Sequence, residues 1–167
     1  MNLNVDIIEN LKIAADIHYK VRTHCKNNLK TGAKYYDIVQ LYEDYIKENI
    51  KDNDNINIAF PIGFSVNNIC AHDSSYYGDT RVLNKGDILK VDIGIHSNGY
   101  IIDSAQTHII DKDFNELNEI TQNLINSTVE ATNICIKNSG IDVRLYELSE
   151  LIYETISSYD QIKPIYA

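Results

Sequence analysis

The segment from Ile88 to Ile109, ILKVDIGIHSNGYIIDSAQTHI, constrains the fold more than any other part of this 167-residue chain. Leu89, Val91, Ile93 and Ile95 alternate with Lys90, Asp92, Gly94 and His96, the period-two pattern of a half-buried strand. Asn98-Gly99 follows. Both residues tolerate the positive φ of a type I′ turn, so a β-hairpin is predicted. With a two-residue loop, Ser97 faces Tyr100, Asp92 faces Ala105 and Asp103 faces Gly94. Asp92 and Asp103 then share one face as diagonal neighbours, roughly 7 Å apart at the backbone. Each sits across from a small residue, which leaves space between them. Two carboxylates that close repel unless a proton or a cation lies between them, and the leading candidate is a divalent metal. The bland alternative is a pair of solvated edge carboxylates. Ile102, Ser104, Gln106 and His108 form a mixed face, so the register rests on the turn.

Composition narrows the class. With 44% hydrophobic residues the chain can bury one real core, and a single domain over 1–167 is expected. A net charge of −9 and a pI near 4.9 argue against a nucleic-acid or anionic-membrane surface. The start, MNLNVDIIEN, has no apolar run typical of a secretory signal, and no stretch has transmembrane length, so a cytoplasmic location is expected. Cys25, Cys70 and Cys135 are odd in number and widely spaced, which reads as reduced thiols in packing roles.

The order of elements predicts an α+β fold. Val5 to Leu29 reads as a helix with Ile8, Leu11, Ala15 and Val21 near one face, and His18 and His24 on its surface. Tyr35 to Glu48 reads as a second helix, with Ile38, Leu41, Tyr42 and Tyr45 at helical spacing. Lys51 to Asn57 is a polar loop, and Ile58 to Phe64, broken by Pro61 and Gly63, is at best a short edge strand. Tyr76 to Asp87 is a turn-rich connection. Asp113 to Asn138 reads as a long helix with Gly140 at its C-terminal cap. Asp142 is placed as N-cap of a last helix from Val143 to Ser158, and Lys163 to Ala167 as the entry to a strand.

Three stretches then carry a family resemblance: AFPIGFSVNNICAH (59–72), GDILKVDIGIHSNGYIIDSAQT (86–107) and SGIDVRLYELSELI (139–152). They resemble methionine aminopeptidase, type 2, in the creatinase-like "pita-bread" metallopeptidases, from about residue 10 to Ile165. The most specific part is NNxxAH followed by DxG and IID. The fold this implies is the N-terminal half of a pita-bread fold, a curved antiparallel sheet flanked by helices.

The resemblance also assigns roles. Asp92 resembles the family's bridging first aspartate and Asp103 its second metal-binding aspartate. His72 resembles the histidine that touches substrate and assists at the scissile amide, as a catalytic and substrate-binding residue. Phe60 resembles a wall of the pocket for the N-terminal methionine side chain. The implied cofactors are two divalent ions, which oxygen-rich ligands accept as Mn, Co, Fe or Zn. The implied reaction is removal of methionine from the N-terminus of nascent polypeptides. His96 shares the Asp92 face without a family role and reads as a polar rim residue.

One departure is large. The family pattern has five metal ligands, two aspartates followed by a histidine and two glutamates, and no histidine follows His108 here. Glu147, Glu150 and Glu154 match none of the missing positions and read as a solvated helix face. The chain therefore reads as a truncated, N-terminal half whose two carboxylates hold metal weakly. An exposed strand edge and apolar face would then invite a second chain or self-association. The rival reading is a non-catalytic protein-binding module or inactive remnant on the same fold. A proline-directed aminopeptidase of that fold is disfavoured by the Asn67-Asn68 and Ala71-His72 context.

Overall fold

A computed structural model describes residues 5–50 and 53–164. Its central element is the expected hairpin, β3 (Ile88–Ser97) and β4 (Tyr100–Ile109). Asn98 (φ 51°) and Gly99 (φ 82°) make the turn in the left-handed region that their side chains allow. The ladder runs from Ser97 opposite Tyr100 to Ile88 opposite Ile109. Asp92 pairs with Ala105, and Asp103 with Gly94, as the turn dictates.

The other edge of β3 is shared by two short strands. β1 (Ile56–Ile58) pairs with residues 95–97, and β2 (Gly63–Val66) with residues 89–92, both antiparallel. The polar loop expected over 51–57 therefore contributes the first residues of a strand, while Lys51 and Asp52 lie outside the described residues. Pro61 falls in the gap between β1 and β2, where no ladder bond asks for its missing N–H.

Leu89, Val91, Ile93 and Ile95 point to one face of the sheet and are buried. Full burial of such side chains stabilises by about 1.5–3 kcal/mol each. α1 (Val5–Cys25) and α2 (Tyr35–Ile50) contribute Ala14, Ile17, Val21 and Cys25, and Ile38, Val39, Tyr42 and Ile46, to the same core. The first helix ends at Cys25 in a single 3₁₀ turn (Lys26–Asn28), short of the expected Leu29. Its buried line runs through Ala14 rather than Ala15, and Ile8 is 38% exposed. Burial pushes the Cys25 thiol up to about 12, the signature of an inert packing residue. Cys70 is exposed and packs in no core.

The chain divides into two compact units, residues 1–112 and 113–167, of which the first holds the sheet, α1 and α2. In the second, α3 (Glu119–Asn138) packs on α4 (Leu145–Ser157). Asp113 to Leu117 forms a 3₁₀ turn with its flanks, not the start of α3. Asn118 is the real cap, accepting from the Thr121 N–H at 2.9 Å. Ser139, not Gly140, closes α3 through its N–H to Cys135 O. Asp142 takes a left-handed conformation (φ 65°), and α4 starts two residues later than expected, with Glu147 Oε2 accepting from the Arg144 N–H at 3.3 Å. The expected strand entry at 163–167 falls mostly outside the described residues. No helix among the described residues is long and apolar enough to cross a membrane.

Candidate metal and substrate site

The alternation that buries Leu89 to Ile95 sends Asp92, Gly94 and His96 to the opposite face of β3, with Asp103 and Ala105 of β4 beside them. Asp92 is half-buried and Asp103 exposed. Burial pushes the Asp92 carboxyl above the usual carboxylate range, and the charge of Asp103 and a hydrogen bond with it push further, while nearby His72 pulls back. Without a cation, the chemistry of this pair favours a proton. Two anionic oxygen donors side by side, one partly desolvated, fit a divalent cation as part of its ligand set. Among the described residues, no group of three or more His, Cys, Asp or Glu side chains forms a metal cage.

β2 approaches Asp92 because Gly63 has no side chain. A β-carbon on Gly63 would lie 2.8 Å from the Asp92 β-carbon, a distance real side chains do not tolerate. Between β1 and β2 the chain leaves the ladder but stays tied to it, the Ala59 N–H donating to Gly94 O at 2.8 Å. This brings the Phe60 ring over Gly94. The space expected above that small residue is therefore occupied: a β-carbon on Gly94 would meet Phe60 Cε1 at 2.2 Å. Phe60 thus covers Gly94, the residue that pairs with Asp103 and follows Asp92 on the same face.

His72 arrives on the loop after β2. It is exposed and takes φ 64°, unusual for a residue with a β-carbon. The loop leaves β2 through Asn67 (φ 53°), whose side chain accepts from the Ile88 N–H at 2.9 Å and donates to buried Asp87 at 3.0 Å. Lys90 Nζ donates to Asn67 O at 2.7 Å. Beyond His72, Asp73 accepts from the Arg81 guanidinium at 2.6 Å, and Arg81 also grips Asp79. Of the four expected site residues, Asp92 and Asp103 are diagonal neighbours on the hairpin, Phe60 covers Gly94, and the charge of His72 acts on Asp92. Sequence reasoning missed the Asp73–Arg81–Asp79 group, because residues scattered through a turn-rich loop form no motif.

The other histidines divide differently from expectation. His18 is buried at 5% exposure, with Nε2 3.1 Å from Ile93 O and 3.4 Å from Ser104 Oγ. It sits at the back of the strand that carries Asp92, and burial lowers its pKa. Its register one turn before Val21, on the face of Ala14 and Ile17, was the available signal. His24 is exposed and stacks on Tyr45 at 4.0 Å. His96 is half-buried, and its Nδ1 is enclosed with no hydrogen-bond partner among the described residues.

The chain is similar to known proteins in sequence and in fold. The profile of metallopeptidase family M24 matches residues 9–166. Methionine aminopeptidase 2 of Sclerotinia sclerotiorum is 36% identical over 178 residues, covering 98% of this chain and 38% of that protein. The Laccaria bicolor protein of the same name is 37% identical over 153 residues, covering 91% of this chain and 41% of its own length. The chain thus spans about two fifths of the length of these curated relatives. Among solved structures, a methionine aminopeptidase from Thermotoga maritima superposes with a TM-score of 0.79 at 24% identity, over 93% of this chain and 61% of that one. A prolidase from Pyrococcus horikoshii OT3 gives 0.79 at 18% identity, over 94% and 43%. At these identities the superpositions speak for the fold alone: an α+β pita-bread architecture of which this chain covers a part.

Proposed function

The chain belongs to metallopeptidase family M24, and from that premise we propose that it forms the first part of a metalloaminopeptidase that removes N-terminal methionine from nascent polypeptides. The observation that carries this reading is the ladder register, which makes Asp92 and Asp103 diagonal neighbours with Phe60 beside them.

The residues divide the work by their chemistry. Asp92 and Asp103 supply anionic oxygens for divalent metal, of which Mn, Co, Fe and Zn are all compatible. When bound, such ions act as Lewis acids toward a peptide carbonyl and lower the pKa of water. His72 offers an imidazole on an exposed loop at the edge of the pair, suited to hydrogen-bond the scissile amide or hand a proton to its leaving nitrogen. Phe60 presents an aromatic wall, apolar and close to sulfur-friendly, for an unbranched thioether side chain. The two units, residues 1–112 and 113–167, together form part of a single metallopeptidase domain. The remaining ligands of the five-ligand family pattern are not found in this sequence, so the chain by itself holds metal weakly and turns over little substrate.

Calorimetric titration of the pure chain with Mn²⁺ or Co²⁺ tests this, with Asp92→Asn and Asp103→Asn in parallel. Weak binding abolished by either substitution is expected. Binding indifferent to both would remove the metal site, and vigorous methionine release by the isolated chain would refute the incomplete ligand set.

A further inference from the structure

We propose that Arg81 is a positioning residue for His72, clamping the loop that carries it through Asp73 and Asp79; this rests on the reading of His72 given above. His72 holds a positive φ of 64°, which a residue with a side chain keeps only when its surroundings impose it. The loop is fixed on both sides of it. On the upstream side, Asn67 is bonded to Asp87, Ile88 and Lys90. On the downstream side the anchor is the very next residue. The Phe64 N–H donates to Asp73 O at 2.6 Å, and the Asp73 N–H to Ser65 Oγ at 3.3 Å, which ties the loop back to β2.

Those two contacts hold the Asp73 main chain, and Arg81 holds its side chain. Its Nη1 and Nη2 donate to Asp73 at 2.6 and 3.4 Å, while Nε and Nη2 donate to Asp79 at 3.0 and 2.8 Å. Ser75 Oγ adds a bond to Asp79 at 2.9 Å, and the guanidinium carbon lies 4.8 Å from the centre of the Tyr35 ring. An ordinary exposed ion pair contributes little. This one differs, because the Asp79 side chain is only 1% exposed and the guanidinium fork is matched to two carboxylates at once. Removing the guanidinium leaves Asp79 buried with its charge unpaired and Asp73 facing a like charge. The cheapest relief is for Asp73 to swing to water, and His72 moves with it.

Arg81→Gln and Arg81→Lys, made in the isotopically labelled full chain, test the clamp by nuclear magnetic resonance without metal or substrate. In Arg81→Gln the His72 Cα shift is expected to leave its left-handed value. The Phe64 amide should exchange about tenfold faster, the worth of one charge-assisted contact. Amides of α1 and α2 should keep their protection. Arg81→Lys should not rescue, since an ammonium cannot fork between two carboxylates. Asp73→Asn reads the same contact should Arg81→Gln not fold. An unmoved His72 in a folded variant overturns the proposal, and so does loosening spread evenly through α1 and α2, which would make Arg81 a general stabiliser. Neither readout depends on turnover. A chain that releases no methionine therefore counts against the proposed activity alone.

Discussion

The ring of Phe60 occupies the place a side chain on Gly94 would need, at 2.2 Å from a β-carbon built there. Gly94 is thus a seat for the aromatic ring rather than an empty floor between two aspartates. Gly94→Ala should displace Phe60 and destabilise the chain by about 1–3 kcal/mol, the usual cost of overpacking. The double variant Phe60→Ala/Gly94→Ala should recover part of that loss. Urea unfolding of the four proteins measures the coupling directly. Additive losses would separate the two residues.

Asp92 predicts an inverted stability order. Its carboxyl is raised in the folded chain, so folding binds its proton more readily than the unfolded state does. That contribution is complete below the ordinary value of 3.8 and is lost as pH rises through the raised one. Metal-free Asp92→Asn should therefore be more stable than the wild type at neutral pH, and the two should converge in acid. Mn²⁺ should reverse the neutral-pH order by stabilising only the wild type. Thermal midpoints across pH, with and without Mn²⁺, decide it.

Asp79 predicts the opposite slope. The Arg81 hydrogen bonds hold its carboxyl down to about 2, against an ordinary 3.8. Its contribution is present above 3.8 and is lost as pH falls from there through about 2. Asp79→Asn should cost about 1–3 kcal/mol at neutral pH, as for a hydrogen bond to a charged group. It should also lack the steep acid limb of the wild-type stability curve.

His18 extends the pH argument to the back of the sheet. Burial lowers its pKa from 6.5, so the folded state binds its proton less readily than the unfolded state. Stability from this group is full above 6.5 and falls as pH drops below that value toward the lowered one. His18→Leu should flatten the mildly acidic part of the curve while losing about 1 kcal/mol for the bond to Ile93 O. Thermal midpoints of both proteins through that range test it.

The hairpin was legible because two independent signals agree. Asn98-Gly99 sets the loop length, and the strict alternation of Leu89 to Ile95 sets which face is buried. On the core-facing side of β4, Ser104, Gln106 and His108 hid their role beside apolar Ile102 because they are polar; Ser104, for one, finds its partner in His18. That pairing joins residues 86 positions apart, which no local pattern reveals. Helix starts were misplaced where two capping residues compete: Asp113 and Asn118 both suit the role, and only Asn118 bonds a free N–H. The clamp at Arg81 was invisible for a similar reason, since its partners are defined by loop path rather than by period.

The division of one edge of β3 between two short strands has a consequence for how such a chain can change. β1 fixes its register at residues 95–97 and β2 at residues 89–92, each by its own pairs. Residues 59–62, Phe60 among them, lie in the unpaired interval, held to the strand through Ala59. Within it only Pro61 is exposed, since Ile62 is buried at 1% exposure and Phe60 covers Gly94, so an exchange at Pro61 leaves both ladders in step. The two paired segments hold in register the strand that carries Asp92, while the unpaired interval alone carries the ring that covers Gly94.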